Sequence, residues 1–178
     1  MPAMKLHAKY LALLGHATSV GRANIDDLRL CFELLSLADA IDQDCAVRLA
    51  PYGLSEGKFV VLLLLSDAPD GLSPFELAER TGVTRATTTG LLGGLERDGY
   101  ITRRGTRDDG RRINVRLTPK GKEVGKKLST EHTAWIAGLF AGVTPAGRRG
   151  LRRAFHDVWA ATDVGARQSA DGKDHAAL

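Results

Sequence analysis

The side chains best suited to chemistry are basic, and they are concentrated in one quarter of the chain. Residues 84–127 contain 12 Lys and Arg against five Asp and Glu, whereas the remaining 134 residues carry a net charge of −3. A local charge of +7 attracts polyanions such as nucleic acid. A solvated basic face is the alternative, so the elements that carry these charges must decide between the two.

A threonine-rich segment opens the basic region. Thr84 is a good N-cap for a helix that runs to about Arg97. Small hydroxyl side chains let a helix approach base edges and thymine methyl groups closely, and a helix N-terminus favours phosphate. Capping and solvation alone are the bland explanation. The candidate DNA contacts on this helix are Thr84, Arg85, Thr87, Thr88 and Thr89.

The second basic element has the alternation of a β-hairpin. Residues 101–104 and 112–117 form two short strand patterns around the polar turn 106–110. Arginines near the tip of such a hairpin are attracted by the negative potential of a minor groove. The candidate contacts here are Arg103, Arg104, Arg107, Arg111 and Arg112.

Two short helices precede the hairpin. Ser73 and Glu76 form a capping box with Pro74 at the first helical position, and this helix ends near Gly82. Together with the helix that follows Thr84, it makes a helix-turn-helix. A helix-turn-helix followed by a basic hairpin predicts a mostly α winged helix-turn-helix fold with a small β-hairpin wing.

Long amphipathic helices flank this unit. From Asn24 to Pro51, apolar residues recur at steps of three and four, and Thr118-Pro119 and Thr144-Pro145 each open a further helix. A single helix of about six turns needs a surface to cover its apolar stripe, so we expect a homodimer held by the N- and C-terminal helices. The last helix contributes Leu151, Phe155, Val158 and Trp159.

Residues 72–122 resemble the MarR family of winged-helix transcription regulators. The most specific match is in the hairpin, with GYITRR at 99–104, DDGRR at 108–112 and VRLTPKG at 115–121. The family pattern is an Asp, one residue, then an Arg, six residues before the Leu-Thr of the next helix. This resemblance selects Asp109 and Arg111, and it implies that the Asp orients an Arg that enters the minor groove.

The resemblance also implies a domain organisation and a function. It covers residues 26–162, leaving 1–25 as an N-terminal extension and 163–178 as a disordered tail. It implies a homodimeric regulator that binds a pseudo-palindromic DNA operator and acts as a repressor. A small aromatic or phenolic acid is implied to release the regulator from the operator. The implied effector pocket lies where the first long helix, the next helix and the helix after the wing meet, with Leu28, Cys31, Leu35, Phe59 and Leu62 as its lining.

Cys31 raises a second hypothesis. LCFELL at 30–35 is similar to the organic-hydroperoxide-sensing branch of the same family, in which the aligned Cys is oxidised and DNA is released. Tyr hydroxyls support the Cys in that branch, and the aligned positions here are Leu35, Cys45 and Glu56. We therefore expect Cys31 to be a packed structural residue and keep peroxide or thiol sensing as the alternative. A further alternative is a protein-interaction module that does not bind duplex DNA.

Other sites are disfavoured. GLSEG at 53–57 matches the nucleophile string of hydrolases, but it follows a helix end rather than a strand, so Ser55 is expected to be a helix N-cap. The five histidines show no paired ligand spacing, and no phosphate-binding glycine loop is present, so we expect no enzyme, metal or cofactor. Two cysteines fit a reducing compartment, and we expect a cytoplasmic protein.

Three glycines interrupt the threonine-rich helix. Gly90, Gly93 and Gly94 each cost about 0.5–1 kcal/mol relative to alanine in a helix. Close packing against a neighbouring element and ordering only on DNA are both open explanations.

Overall fold

The computed structural model describes residues 4–21, 24–105 and 113–168, most of which are helical. The chain forms two compact units, residues 1–130 and 131–178. The elements in the described ranges are α1 Ala8–Ser19, α2 Ile25–Leu49, α3 Glu56–Ser66, α4 Pro74–Thr81, α5 Arg85–Arg97, β1 Ile101–Gly105, β2 Ile113–Leu117, α6 Pro119–Leu139 and α7 Pro145–Ala160, with a 3-10 turn at Ala50–Tyr52. This order confirms the mostly α winged helix-turn-helix.

Side-chain caps set most of the helix starts. Ser73 Oγ accepts from the backbone N–H of Glu76 at 3.2 Å, and the Glu76 carboxylate accepts from the Ser73 N–H at 2.8 Å, which completes the capping box. Ser55, Thr84 and Thr144 likewise accept a backbone N–H three residues on. Asn24 differs from our expectation: its φ is 70°, in the left-handed region, and its side chain makes no cap hydrogen bond.

The core of the first unit is built around α3. Val61, Leu62 and Leu65 of this helix are buried, and Leu77 of α4 and Leu95 of α5 are fully buried beside the remaining core residues. The apolar character of 59–65 on all sides therefore reflects a central position, as predicted.

The β1–β2 hairpin, called the wing below, is tied to the start of α4. The strands pair antiparallel, with Ile101 opposite Leu117 and Arg103 opposite Val115. Leu72 forms a further bridge with Val115, through N···O distances of 3.1 and 2.9 Å. Gly71 has a φ of 86°, and a Cβ at this position would lie 2.5 Å from the Val115 carbonyl oxygen, so only glycine fits.

Large apolar side chains remain exposed on the terminal helices of the single chain. Leu151, Phe155 and Val158 of α7 are exposed, and Trp159 is 48% exposed. On α2, Cys45 and Leu49 at the C-terminal end are buried, whereas Leu35 is exposed. Such faces are typical of helices that pack against another subunit.

Two expectations need correction. Cys31 was expected to be packed, but its side chain is exposed in the single chain, although α1 covers other residues in the same half of α2, where Tyr10 stacks on Phe32 and Ser36 is buried. Residues 163–168 were expected to be disordered, but they are helical, and the buried Gly165 would place a Cβ 2.1 Å from the Trp159 carbonyl oxygen. Residues 169–178 lie outside the described ranges.

Candidate nucleic-acid interface

Helix α5 presents an open N-terminal end. Thr84 Oγ1 accepts from the Thr87 N–H at 3.2 Å and lies 2.9 Å from the Thr87 hydroxyl oxygen. Arg85, Thr87 and Thr89 are exposed, as is Gly90. Since these positions are exposed, they are available to a ligand that approaches the helix N-terminus.

Arg85 is supported by an aromatic side chain of α4. Its guanidinium carbon lies 4.9 Å from the centre of the Phe75 ring, and Phe75 is 47% exposed. A cation over an aromatic face is held in place while its N–H groups stay free to bind. Phe75 was not selected from the sequence, although a large aromatic residue immediately after a first-position proline is an unusual surface choice.

Thr88 does not belong to this open surface. It is 1% exposed, and its hydroxyl donates to the Thr84 carbonyl oxygen at 3.1 Å. The prediction that Thr88 contacts DNA is therefore wrong for this fold. Thr88 lies four residues before Leu92 and seven before Leu95, on the face that packs into the core.

Gly94 allows a lysine to cross α5. A Cβ at Gly94 would lie 2.7 Å from Lys58 Cε, and Lys58 Nζ continues past the helix to Asp98 Oδ2 at 2.8 Å. The hydrogen bond from Lys58 lowers the pKa of Asp98. A Cβ at Gly94 would therefore displace the end of the Lys58 side chain, whereas a Cβ at Gly90 or Gly93 would meet no described heavy atom within 4 Å.

Arg103 of the wing is engaged by α5. Its Nε donates to Glu96 Oε2 at 2.8 Å, and its Nη2 contacts the same oxygen. Hydrogen bonding from Arg103 lowers the pKa of Glu96, and the same contact raises the pKa of Arg103. The pair joins α5 to the base of the wing, so Arg103 is a positioning residue in this structure. Sequence spacing gave no signal for Glu96.

Arg104 is the next arginine along β1. It is exposed and lies on the opposite strand face from Arg103. The predicted contacts Arg107, Asp109, Arg111 and Arg112 lie outside the described residues. They remain predictions.

The base of the wing is locked to α6. The Tyr100 carbonyl oxygen accepts from the Thr118 N–H at 3.0 Å and from its hydroxyl at 3.2 Å. Tyr100 itself is buried, and its hydroxyl donates to the Tyr52 carbonyl oxygen at 2.7 Å. Burial, followed by the nearby Asp98, raises the pKa of Tyr100, so this hydroxyl stays protonated and keeps donating. These bonds fix where the wing leaves the core.

The five predicted effector-pocket residues do not line one cavity of the single chain. Phe59 and Leu62 are buried in the core, Leu28 is half-buried, and Cys31 and Leu35 are exposed on α2. The pocket assignment remains a prediction. Within the described ranges, no three His, Cys, Asp or Glu side chains are grouped as a metal site requires.

The chain is similar to known regulators in sequence. A profile described as MarR family matches residues 52–112. The HTH-type transcriptional repressor YetL of Bacillus subtilis (strain 168) is 44% identical over 132 residues, covering 74% of this chain and 79% of YetL. The chain belongs to the MarR family. It is accordingly a DNA-binding transcriptional regulator and not an enzyme.

More distant MarR-family relatives agree. The HTH-type transcriptional repressor Rv2887 of Mycobacterium tuberculosis (strain ATCC 25618 / H37Rv) is 30% identical over 128 residues, covering 72% of this chain and 91% of that protein. Among solved structures, Streptococcus pneumoniae FabT in complex with DNA superposes with a TM-score of 0.63 at 22% identity, covering 74% of this chain and 93% of FabT. The FabT match supports the fold.

A membrane span is not apparent in this MarR-family chain. Across the described ranges, no single helix is long and apolar enough to cross a bilayer. The bent pair 25–52 and 56–66 passes jointly by length and composition, but α3, the second helix of that pair, forms the buried core described above.

Proposed function

We propose that this protein is a homodimeric repressor that binds a pseudo-palindromic operator and is released by a small aromatic or phenolic acid. The observation that carries the DNA proposal is the open N-terminal end of α5, with Arg85 held over Phe75 and exposed hydroxyls at Thr87 and Thr89. Related proteins named as repressors, YetL and Rv2887, support the direction of regulation.

Readout would follow the usual division of labour in winged helices. The hydroxyls and Arg85 on α5 would meet base edges and phosphates in the major groove, while Arg111, oriented by Asp109, would enter the minor groove. In a dimer, two copies of α5 would meet half-sites about one DNA turn, or about 34 Å, apart. The structure of FabT with DNA supports a duplex as the ligand of this fold.

The second subunit would cover the exposed apolar faces of the terminal helices. The α7 side chains Phe155 and Trp159 offer the large aromatic area that dominates stable interfaces. Dimerisation would also bring Leu35 of α2 under cover. We place the protein in the cytoplasm, in contact with its operator.

Footprinting tests the proposal directly. DNA flanking the coding sequence would be probed with the purified dimer, with and without candidate phenolic acids. We expect protection over two half-sites that is lost on addition of the inducing acid. Protection that is absent from all flanking DNA would contradict an autoregulated repressor, and protection that no acid relieves would contradict the effector class.

A variant pair tests the wing. Arg111→Ala is expected to weaken operator binding by about 1–3 kcal/mol, and Asp109→Ala less strongly, because the contact is lost or left unoriented. Arg153→Ala on the exposed face of α7 removes the same charge away from the wing and is the matched control. Gel shifts that show undiminished affinity for both wing variants would remove the wing from the mechanism.

Salt dependence tests the role of the basic quarter. Each phosphate neutralised by a Lys or Arg contributes about −0.9 to the slope of log K against log salt. A dimer that uses several basic side chains per subunit should therefore show a slope steeper than about −3. A shallower slope would mean that the basic residues face solvent rather than DNA.

The exposure of Cys31 favours peroxide sensing as a second candidate. An accessible thiolate can be oxidised by an organic hydroperoxide to a sulfenic acid, the hydroperoxide being reduced to an alcohol. Against it, Leu35, Cys45 and Glu56 occupy the positions where supporting hydroxyls would stand. Stoichiometric hydroperoxide should leave the parent protein bound to its operator. Release of the parent, with Cys31→Ser staying bound, would establish the sensor instead.

A further inference from the structure

A groove runs along the outer side of the wing, on the face away from Arg103. It consists of two adjoining cavities of about 620 and 570 Å³, which share Leu65, Pro69, Leu117 and Lys122. The end of α3, the turn at 67–71, the wing and the first turns of α6 form its walls. We call it the wing groove. All of its lining residues lie in the first compact unit.

The floor of the wing groove is apolar and its rim is cationic. Leu65, Pro69 and Leu117 lie among its apolar lining, and the rim carries the basic side chains Arg104, Arg116, Lys122 and Lys126. One acidic residue, Asp67, lines the second cavity. The lining therefore carries a net charge of +3.

The cationic side chains of the rim form no close ion pair with a described carboxylate. Arg116 Nη2 lies 4.0 Å from Asp70 Oδ1, at the limit of an ion pair, and Asp70 is fully exposed. Among the described residues, Arg104, Lys122 and Lys126 have no carboxylate within 4.0 Å. Uncompensated cations beside an apolar floor recognise an anion that carries an apolar body.

We propose that the wing groove binds an amphipathic organic anion, a carboxylate or sulfonate attached to an aromatic ring or a short alkyl body. Each cavity has the volume of a small-ligand site, which is about 300–1,000 Å³. A bare phosphate would use the rim but leave the apolar floor unfilled, so an amphipathic anion fits better than the DNA backbone. None of the predicted pocket residues, such as Phe59 or Leu35, lines the groove.

The groove is placed to oppose DNA binding, an inference that rests on the proposed operator-binding function. Arg104 lines the groove and is also a candidate DNA contact, so a bound anion competes with the operator for its guanidinium. Ala68 and Pro69 lie in the turn that leads through Leu72 to the capping box of α4. Occupancy and operator binding are therefore negatively coupled, and by linkage DNA lowers the affinity for the anion equally.

The binding test uses 2-naphthoate as the probe and backbone amide NMR as the readout. Titration of the parent dimer should shift the amides of Thr102, Asn114 and Leu117 saturably. The double variant Arg116→Glu/Lys122→Glu should raise the Kd at least about tenfold, since two cations become anions. The double variant Arg97→Glu/Lys5→Glu makes the same charge change at exposed positions outside the groove and should leave the Kd within about twofold.

Three outcomes overturn the proposal. They are shifts confined to α2 and the Phe59 region, an unchanged Kd in the groove variant, and no saturable shift in a parent whose spectrum shows a folded dimer. A fourth result would assign the groove to the DNA-binding surface instead. In that case the parent gives no probe shifts, and the groove variant binds the operator more weakly than the parent in the absence of 2-naphthoate.

The coupling test measures operator binding by fluorescence anisotropy. Saturating 2-naphthoate should weaken operator binding in the parent and in the control variant, but not in the groove variant. Operator affinity that is unchanged in the probe-saturated parent would overturn the coupling. If no duplex binds at all, the proposed repressor function fails, while the NMR titration still reports whether the groove binds the anion.

Discussion

Gly121→Ala should destabilise the contact between the base of the wing and α6. Gly121 is buried in the first turn of α6, and a Cβ there would lie 2.0 Å from the Tyr100 carbonyl oxygen and 3.2 Å from Leu117 Cδ2. The same carbonyl accepts two hydrogen bonds from Thr118. Since a backbone atom cannot swing aside as a side-chain end can, α6 and the wing base must move apart.

The magnitude follows from three contributions. Alanine gains about 1 kcal/mol over glycine in helix propensity. Overpacking costs about 1–3 kcal/mol, and weakening a hydrogen bond to the Tyr100 carbonyl costs about 1 kcal/mol more. We therefore expect a net destabilisation of about 1–3 kcal/mol. Gly150→Ala in the interior of α7 meets no described atom within 4 Å and should instead stabilise by up to about 1 kcal/mol.

Urea denaturation followed by far-UV circular dichroism measures both variants. Protein concentration must be held constant across the series, because unfolding is coupled to dissociation in a dimer. The expected signature is a lower midpoint for Gly121→Ala and an equal or higher one for Gly150→Ala. If Gly121→Ala is as stable as Gly150→Ala, the close approach of Tyr100 to α6 does not exist and the account of the wing base is refuted.

Three further predictions concern other parts of the molecule. Burial, with Glu56 and Asp42 adding to it, raises the pKa of the Cys45 thiol, so an aromatic disulfide reagent near neutral pH should modify Cys31 much faster than Cys45, and equal rates would contradict this burial. Hydrogen bonds from the Ser73 backbone N–H and hydroxyl lower the pKa of Glu76, so its contribution to stability is present above about pH 4.3 and is lost as the pH falls through the lower folded value. Glu76→Gln should therefore flatten the acid limb of urea midpoints measured from pH 7 to 3, and an unaltered limb would count against the capping box. Trp159→Ala should shift the dimer toward monomer in light scattering, and a stable parent monomer would contradict the proposed α7 interface.

Signals between residues close in the sequence were enough to predict the order of the helices and strands. Caps at Ser55, Ser73, Thr84 and Thr144 depend on hydrogen bonds three residues along the chain, which a sequence displays directly. The change from helical to alternating periodicity at Ile101 likewise marked the wing. Asn24 was the exception, since its backbone lies in the left-handed region and its side chain makes no cap hydrogen bond.

Side-chain contacts between different helices and strands could not be predicted from signals between residues close in the sequence. Glu96 forms an ion pair with Arg103 because the fold places α5 beside β1. The spacing of residues in the sequence does not predict this pair. Lys58 reaches Asp98 across Gly94, 40 residues apart in sequence. Thr88, by contrast, was predictable: it shares the stripe of Leu92 and Leu95, and counting in steps of three and four would have assigned it to the core.

The two faces of α5 also bear on how regulators of this type diverge. The inner face holds the domain together through Thr88, Leu92 and Leu95, while positions 85–87, 89 and 90 are exposed. Substitutions at exposed positions usually change stability by less than about 0.5 kcal/mol. A duplicated copy of this chain can therefore explore new operators at these positions with little loss of folding, so binding preference and foldability evolve on separate residues of one helix.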